Sequence, residues 1–186
     1  MVTTGPVPGK RERLVHAATE LVHRQGVEKT TLADIAEVAD VPLGNIYYYF
    51  KTKDALVAAV VEAHVRGVLD TIESLGQHRT PKARLKALTR TLAARADLIA
   101  KYGCPHGTLC SELDKSEQNH DVARLMNLPL AWLEDQFRTL GHRDARQLAL
   151  TFLASYQGTA VLTHTTRDPS VLTAEGRRLE RWIDSL

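Results

Sequence analysis

Two sets of side chains in this sequence have the types and spacing to do chemistry. The first is Leu43-Gly44-Asn45-Ile46-Tyr47-Tyr48-Tyr49, with Lys53 four residues on and Thr31 upstream. An asparagine amide can pair in bidentate fashion with adenine, a glycine lets backbone approach a base, and leucine and tyrosine can meet a thymine methyl or a base edge. Hydroxyls and an ammonium at the flanks can hold phosphates and set register. The second set is Cys104-Pro105-His106-Gly107, with Cys110 six residues beyond Cys104. A cysteine at a helix start has a depressed pKa and a nearby imidazole can stabilise its thiolate, which makes Cys104 the candidate for sensing an electrophile or oxidant.

Other chemistry for the cysteine set is poorly supported. Cys104, His106 and Cys110 lack a regular zinc spacing and a fourth ligand, so no metal is expected. An enzyme would need Cys104 as nucleophile and His106 or His120 as base. The sequence has no Gly-rich phosphate loop, no nucleophile elbow and no paired acid motif, so neither catalysis nor a cofactor is expected. A Cys104 to Cys110 disulfide is disfavoured, because six residues along one helix rise about 9 Å.

The elements that must position the first set are short helices. Apolar residues Leu14, Val15, Ala18, Leu21 and Val22 recur at helical spacing between Lys10 and Gln25, and Gly26 follows as a stop. Thr31 begins a second helix as a cap, with Asp34 three residues later and an apolar face of Leu32, Ile35, Ala36 and Ala39. Pro42 is placed in the first turn of a third, which buries Ile46 and Phe50 and ends near Phe50. Two short helices joined by a tight break read as a helix-turn-helix, whose second helix enters the major groove of DNA.

The remaining chain is read as helices throughout. A long one runs from Lys53 to about Gly76, one from Thr80-Pro81 to Tyr102-Gly103, and a short one from Cys104 to Glu117. Asp121 to Leu140 forms another, with Pro129 expected to kink it, and Arg146 to Thr165 and a helix after Asp168-Pro169-Ser170 complete the chain. No strand pattern of useful length, internal repeat or low-complexity linker is found. The fold class is all-α, with about nine helices: a head at 1–52 for DNA and a body at 53–186 for effector binding and dimerisation.

The formal net charge of the 186-residue chain is only +2, and residues 1–55 hold equal numbers of basic and acidic groups. DNA contact must therefore come from placement, not from excess charge. Basic Lys10, Arg11 and Arg13 read as a solvated helix start that can add phosphate contacts. No apolar run reaches membrane-spanning length, the N-terminus has no apolar leader core, and two cysteines suit a reducing compartment. A soluble, cytoplasmic protein with no membrane partner is expected.

Thr31, Ile35-Ala36, Gly44, Tyr47, Tyr49-Phe50 and Lys53 stand in the order and spacing of the DNA-binding signature of TetR-family repressors, which the segment from Thr30 to Leu56 resembles. The resemblance implies an all-helical homodimer, a three-helix head on a ligand-binding body, and repression relieved by an effector. This chain departs from the family pattern at Asp40, where glycine is common, at Pro42, where serine or threonine is common, and at Leu43, where a small basic or polar residue is common.

The DNA-binding candidates are Thr31, Leu43, Gly44, Asn45, Tyr47, Tyr48, Tyr49 and Lys53, with Leu43, Gly44, Asn45 and Tyr47 toward bases. Successive helical residues point about 100° apart, so the three tyrosines cannot all face DNA equally. One such helix spans few base pairs, so two heads about 34–36 Å apart on a palindromic operator are expected. The effector cavity is expected to be lined by His64, Tyr102, Leu109, Met126, Trp132, Phe152 and Tyr156, although an aromatic or methionine at helical spacing is more often plain core. Dimerisation is assigned to the last two helices. Small residues at Ala154, Ser155, Gly158, Thr159 and Ala160 permit close approach, and Leu172, Gly176, Leu179, Ile183 and Leu186 form a stripe spaced four, three, four and three.

Overall fold

A computed structural model describes residues 9–113 and 121–186. Among the described residues there are ten helices and no strand. They are α1 (Lys10–Gln25), α2 (Leu32–Val38), α3 (Leu43–Tyr49), α4 (Lys53–Leu75), α5 (Pro81–Ala93), α6 (Ala96–Tyr102), α7 (Pro105–Leu113), α8 (Arg124–Thr139), α9 (Ala145–Thr166) and α10 (Pro169–Ser185). The count of about nine stands, with one difference. The helix expected from Thr80 to Gly103 is two, α5 and α6, broken at Ala94-Arg95.

Local chemistry explains the boundaries. Thr31, Thr52 and Thr80 cap α2, α4 and α5, each hydroxyl accepting the backbone N–H three residues on. At Thr31 the box is reciprocal, because Asp34 accepts the Thr31 N–H at 3.1 Å while Thr31 accepts the Asp34 N–H at 3.1 Å. Gly26 ends α1 with φ 86°, where a side chain would be strained and a Cβ would lie 2.9 Å from a Glu112 carboxylate oxygen. Pro42 caps α3 from outside the helix and does not occupy its first turn, and it brings no side-chain hydrogen bond.

The head core joins α1, α2 and α3 to the start of α4. Leu14, Ile35, Val41, Ile46, Phe50, Leu56 and Val60 are each at most 4% exposed. A fully buried side chain such as Ile46 contributes about 1.5–3 kcal/mol, so this small cluster is what holds α3 in place. A second cluster of Val22, Val57, Val61, Val65, Leu109, Leu113 and Leu125 lies beneath the head. The largest fills the body between α4, α5, α8, α9 and α10 around Leu133, Phe137, Phe152 and Ile183.

The apolar stripe of α10 lies inside the protomer. Leu172, Leu179 and Ile183 are at most 2% exposed, and a Cβ on Gly176 would sit 2.9 Å from the Ala93 methyl on α5. The stripe thus seats α10 on α5 and α9 and does not itself form an outer seam. The outer apolar face belongs to α9. Leu150, Val161 and Leu162 are 40%, 65% and 57% exposed, and Ala154 and Gly158 are exposed between them. No helix of the described residues is long and apolar enough to cross a membrane.

Asp40, in the break between α2 and α3, adopts the left-handed conformation with φ 51°. An aspartate tolerates this better than most residues but worse than glycine. Its carboxylate is 3.6 Å from the Arg13 guanidinium and fully exposed, which stabilises the turn little. Asp40→Gly should raise Tm by about 1–3 °C and Asp40→Val should lower it, read by circular dichroism melts.

Candidate DNA interface and effector cavity

Helix α3 divides its residues between core and solvent at four-residue spacing. Ile46 and Phe50 are 0% and 3% exposed, whereas Leu43, Tyr47 and Tyr48 are 45%, 50% and 78% exposed. Gly44 is exposed and Asn45 half-buried. Tyr49 packs on the head core and against the Tyr48 ring, with centroids 5.0 Å apart. Two of the three tyrosines therefore stand free for a groove and the third stiffens the helix.

The flanking candidates are placed differently from one another. Thr31 is exposed, and its hydroxyl accepts the Asp34 N–H beside the Asp34 carboxylate. Lys53 is half-buried and its ammonium donates to the Glu28 carbonyl at 3.1 Å. That bond ties α4 to the loop between α1 and α2, so the ammonium is engaged within the protein. Arg11 lies over the Phe50 ring at 5.3 Å, at the edge of the same face.

In the body a cavity of about 540 Å³ opens between α1, α4, α6, α7, α8 and α9. His64, Tyr102, Met126, Trp132, Phe152 and Tyr156 border it. Leu109 does not: it is 3% exposed within the cluster beneath the head, because its face of α7 is turned to α4 and away from the cavity. Most of the wall is apolar, including Val68, Ile72, Leu92 and Leu133. The polar groups gather where α1, α6 and α7 meet α4.

At that end the His64 and His106 rings stand edge to face with centroids 5.2 Å apart. Burial pushes the pKa of each down to about 4, helped for both by the nearby Arg95 charge. Both imidazoles are neutral at pH 7. His23 packs edge-on to Tyr102, and its Nε2–H donates to the Gly103 carbonyl at 2.9 Å. The Tyr156 phenol is held neutral chiefly by burial, with the Cys104 thiol beside it contributing.

Cys104 sits just ahead of α7, 8% exposed, with its Sγ 3.9 Å from the Tyr156 hydroxyl. It borders an open groove and not the 540 Å³ cavity. His106 was expected to stabilise a thiolate here, but its ring partner is His64 and it brings no positive charge at neutral pH. Cys104 is buried and Cys110 half-buried, with the Cys110 Sγ 3.5 Å from the Val122 carbonyl. His120 lies outside the described residues, as does Glu117 at the expected end of the helix that begins at Cys104.

Head and body meet along α4, at the bond from His23 to the Gly103 carbonyl, and through α7. Its far end carries Glu112, whose carboxylate accepts the Val27 N–H at 2.7 Å, and its near end carries Pro105 and His106 on the cavity wall. One nine-residue helix thus touches both sites.

The family model for bacterial regulatory proteins of the tetR family matches residues 14–60. Beyond the head, the chain is similar to the transcriptional regulator TtgR of Pseudomonas putida, 43% identical over 190 residues, 94% of this chain and 88% of the relative. The chain belongs to the TetR family. An uncharacterised HTH-type regulator of Lactococcus lactis is 28% identical over 181 residues, 87% of each chain. The crystal structure of a TetR regulator from Legionella pneumophila shares the fold, with TM-score 0.83 and 19% identity over 97% of this chain and 98% of that one.

Within a TetR-family frame the departures at Asp40 and Pro42 gain a physical meaning. The position where family members commonly have glycine is left-handed in this chain, and the cost falls on an aspartate. At Pro42 the hydroxyl is missing, and with it one donor to phosphate at the head of α3. Among the cavity residues that sequence reasoning missed are His23, Arg95 and His106. His23 and Arg95 carry no local signal, since one looks like the solvated end of a helix and the other like an exposed position on a continuous one.

Proposed function

We propose that the protein is a ligand-responsive transcriptional repressor that grips a palindromic operator as a homodimer and lets go when a small molecule fills the body cavity. The observation that carries this reading is the α3 surface, where Leu43, Tyr47 and Tyr48 are exposed beside the buried anchors Ile46 and Phe50. Large apolar and aromatic side chains left in solvent on a helix of known family role are suited to base edges and methyl groups. Thr31, Leu43, Gly44, Asn45, Tyr47, Tyr48, Tyr49 and Lys53 remain the proposed DNA set, with Tyr49 and Lys53 acting by holding α3 and its loop. We place the DNA-binding unit at 1–52 and the effector and dimer unit at 53–186, and propose no catalytic activity.

Dimerisation is proposed through α9 and the edge of α10, with the exposed Leu150, Ala154, Gly158, Val161 and Leu162 face of α9 as its centre. A Cβ on Gly158 would meet nothing within 4 Å, which leaves room for a second helix to approach. The burial of Cys104 and the neutrality of His106 weigh against an electrophile sensor.

The test is a gel-shift titration with a palindromic fragment from upstream of the protein's own coding sequence. Wild-type protein should prefer it to unrelated DNA, with affinity falling steeply as salt rises. Tyr47→Ala should lose about tenfold in operator affinity with Tm unchanged, because it removes a base contact and no core packing. Equal affinity for the two DNAs at every salt concentration would sink the repressor reading.

A further inference from the structure

Two features of the cavity call for a ligand of particular chemistry. The first is polarity without partners. Among the described residues neither the His64 nor the His106 ring makes a hydrogen bond, though both border the cavity, and Arg95, exposed on the same wall, has no ion-pair partner. The two half-buried imidazoles open onto the cavity with their ring nitrogens unengaged by described side chains, which leaves them placed to meet a ligand group. The second is charge. Glu20 is the one carboxylate among the described lining residues, and it is 3.9 Å from Arg24. The remaining ionisable groups on the wall are His23 on α1, His64 on α4, Arg95 and Tyr102 at the two ends of α6, His106 on α7 and Tyr156 on α9. This end of the cavity is thus poised to accept negative charge. The other end, with Trp132, Phe152, Leu133 and Ile72, has only an apolar surface to offer.

We propose that the effector is an amphipathic organic carboxylate, its apolar body packed between α4, α8 and α9 and its carboxylate held by His64, His106 and Arg95. This rests on the cavity being the effector site. Imidazole N–H groups and a guanidinium make charge-assisted hydrogen bonds to a carboxylate, stronger than those to a neutral oxygen. The cavity volume of about 540 Å³ falls in the range that encloses a small organic ligand. A cationic ligand would face Arg24, Arg95 and three imidazoles with one paired carboxylate to receive it.

Binding has a proton attached to it. An anion beside His64 and His106 favours their charged forms, so their pKa values, about 4 in the empty cavity, rise on binding. The complex therefore takes up protons, and affinity strengthens as pH falls from 8 to 6, by at most tenfold per pH unit for each proton taken up.

The experiment is isothermal titration of the full chain with two matched sets: 1-naphthylacetate, 1-naphthylacetamide and 1-naphthylethylammonium, then decanoate, decanamide and decylammonium below their micelle concentrations. The carboxylate of at least one set should bind about tenfold or more tighter than its amide at pH 6.5, and more weakly at pH 8. In a His64→Gln, His106→Gln variant that preference should fall below about threefold. If, in every set that binds, the amide or ammonium binds as tightly as its carboxylate, the proposal is overturned while the cavity remains the effector site. A carboxylate affinity that does not change with pH also overturns it. Failure of all six probes to bind would instead tell against the cavity as an effector site, and the proposal would fall with it.

Discussion

A Val161→Glu, Leu162→Glu variant is expected to sediment as a monomer and to lose operator affinity by about 10²–10⁴, the largest effect foreseen for any pair of surface substitutions here. Both side chains are more than half exposed on α9, so their replacement removes little from the protomer core and its Tm as a monomer should be readily measurable. In a two-fold interface each residue meets the same face of the partner, so two glutamates become four and repel across the seam. Operator affinity falls so far because a second head, once the first is bound, joins the DNA as an intramolecular event, and a monomer forfeits it. Analytical ultracentrifugation with the gel shift reads both quantities. A variant that remains dimeric would move the interface off α9.

Lowering pH from 7.5 to 5 at constant ionic strength should destabilise the ligand-free protein by about 4 kcal/mol, or about 8–16 °C in Tm. The sign follows from the two cavity histidines. Folded, each has a pKa of about 4, whereas in the unfolded chain an imidazole titrates near 6.5. Between those values the unfolded state binds more protons, so stability is present above pH 6.5 and is lost as pH falls toward 4. Asp34 and Asp168 are held below the usual carboxylate range by the hydrogen bonds that Thr31 and Ser170 donate to them, and their contribution is lost only in stronger acid. The His64→Gln, His106→Gln variant should melt at nearly the same temperature at both pH values. An unchanged acid sensitivity in that variant would place the titrating groups elsewhere.

The helices were legible because their signals are local. The three-and-four spacing of Leu14, Val15, Ala18 and Val22 gave α1 its bounds, Thr31 with Asp34 marked the start of α2, and Ile46 with Phe50 fixed which side of α3 turns inward. What the sequence left open was set by contacts far apart in the chain. Leu85, Leu88, Leu92, Ala96 and Ile99 keep helical spacing straight through the break at Ala94-Arg95, so nothing nearby announces that α6 starts afresh. The α10 stripe has the pattern of a seam between subunits and also of a seam within one, and only the packing of Gly176 on Ala93 distinguishes the two. Six of the seven residues expected at the cavity do border it, since aromatics and a histidine on inward faces of α4, α6, α8 and α9 had few other places to point. Leu109, Lys53 and His106 are where a residue type suggested one partner and the tertiary structure supplied another.

The helix that runs from His106 to Glu112 has a thermodynamic corollary. It rests on the cavity wall at His106 and holds the Val27 amide of the head at Glu112, about 9 Å further along the helix. Two ligands that bias the position of one rigid body are bound to reciprocity: whatever factor a cavity ligand takes from operator affinity, operator DNA must take from the affinity of the cavity. The strength of induction can then be measured without a promoter, as the ratio of ligand affinities with and without a saturating operator duplex. Glu112→Ala, which frees the head end of that helix, should bring the ratio toward one.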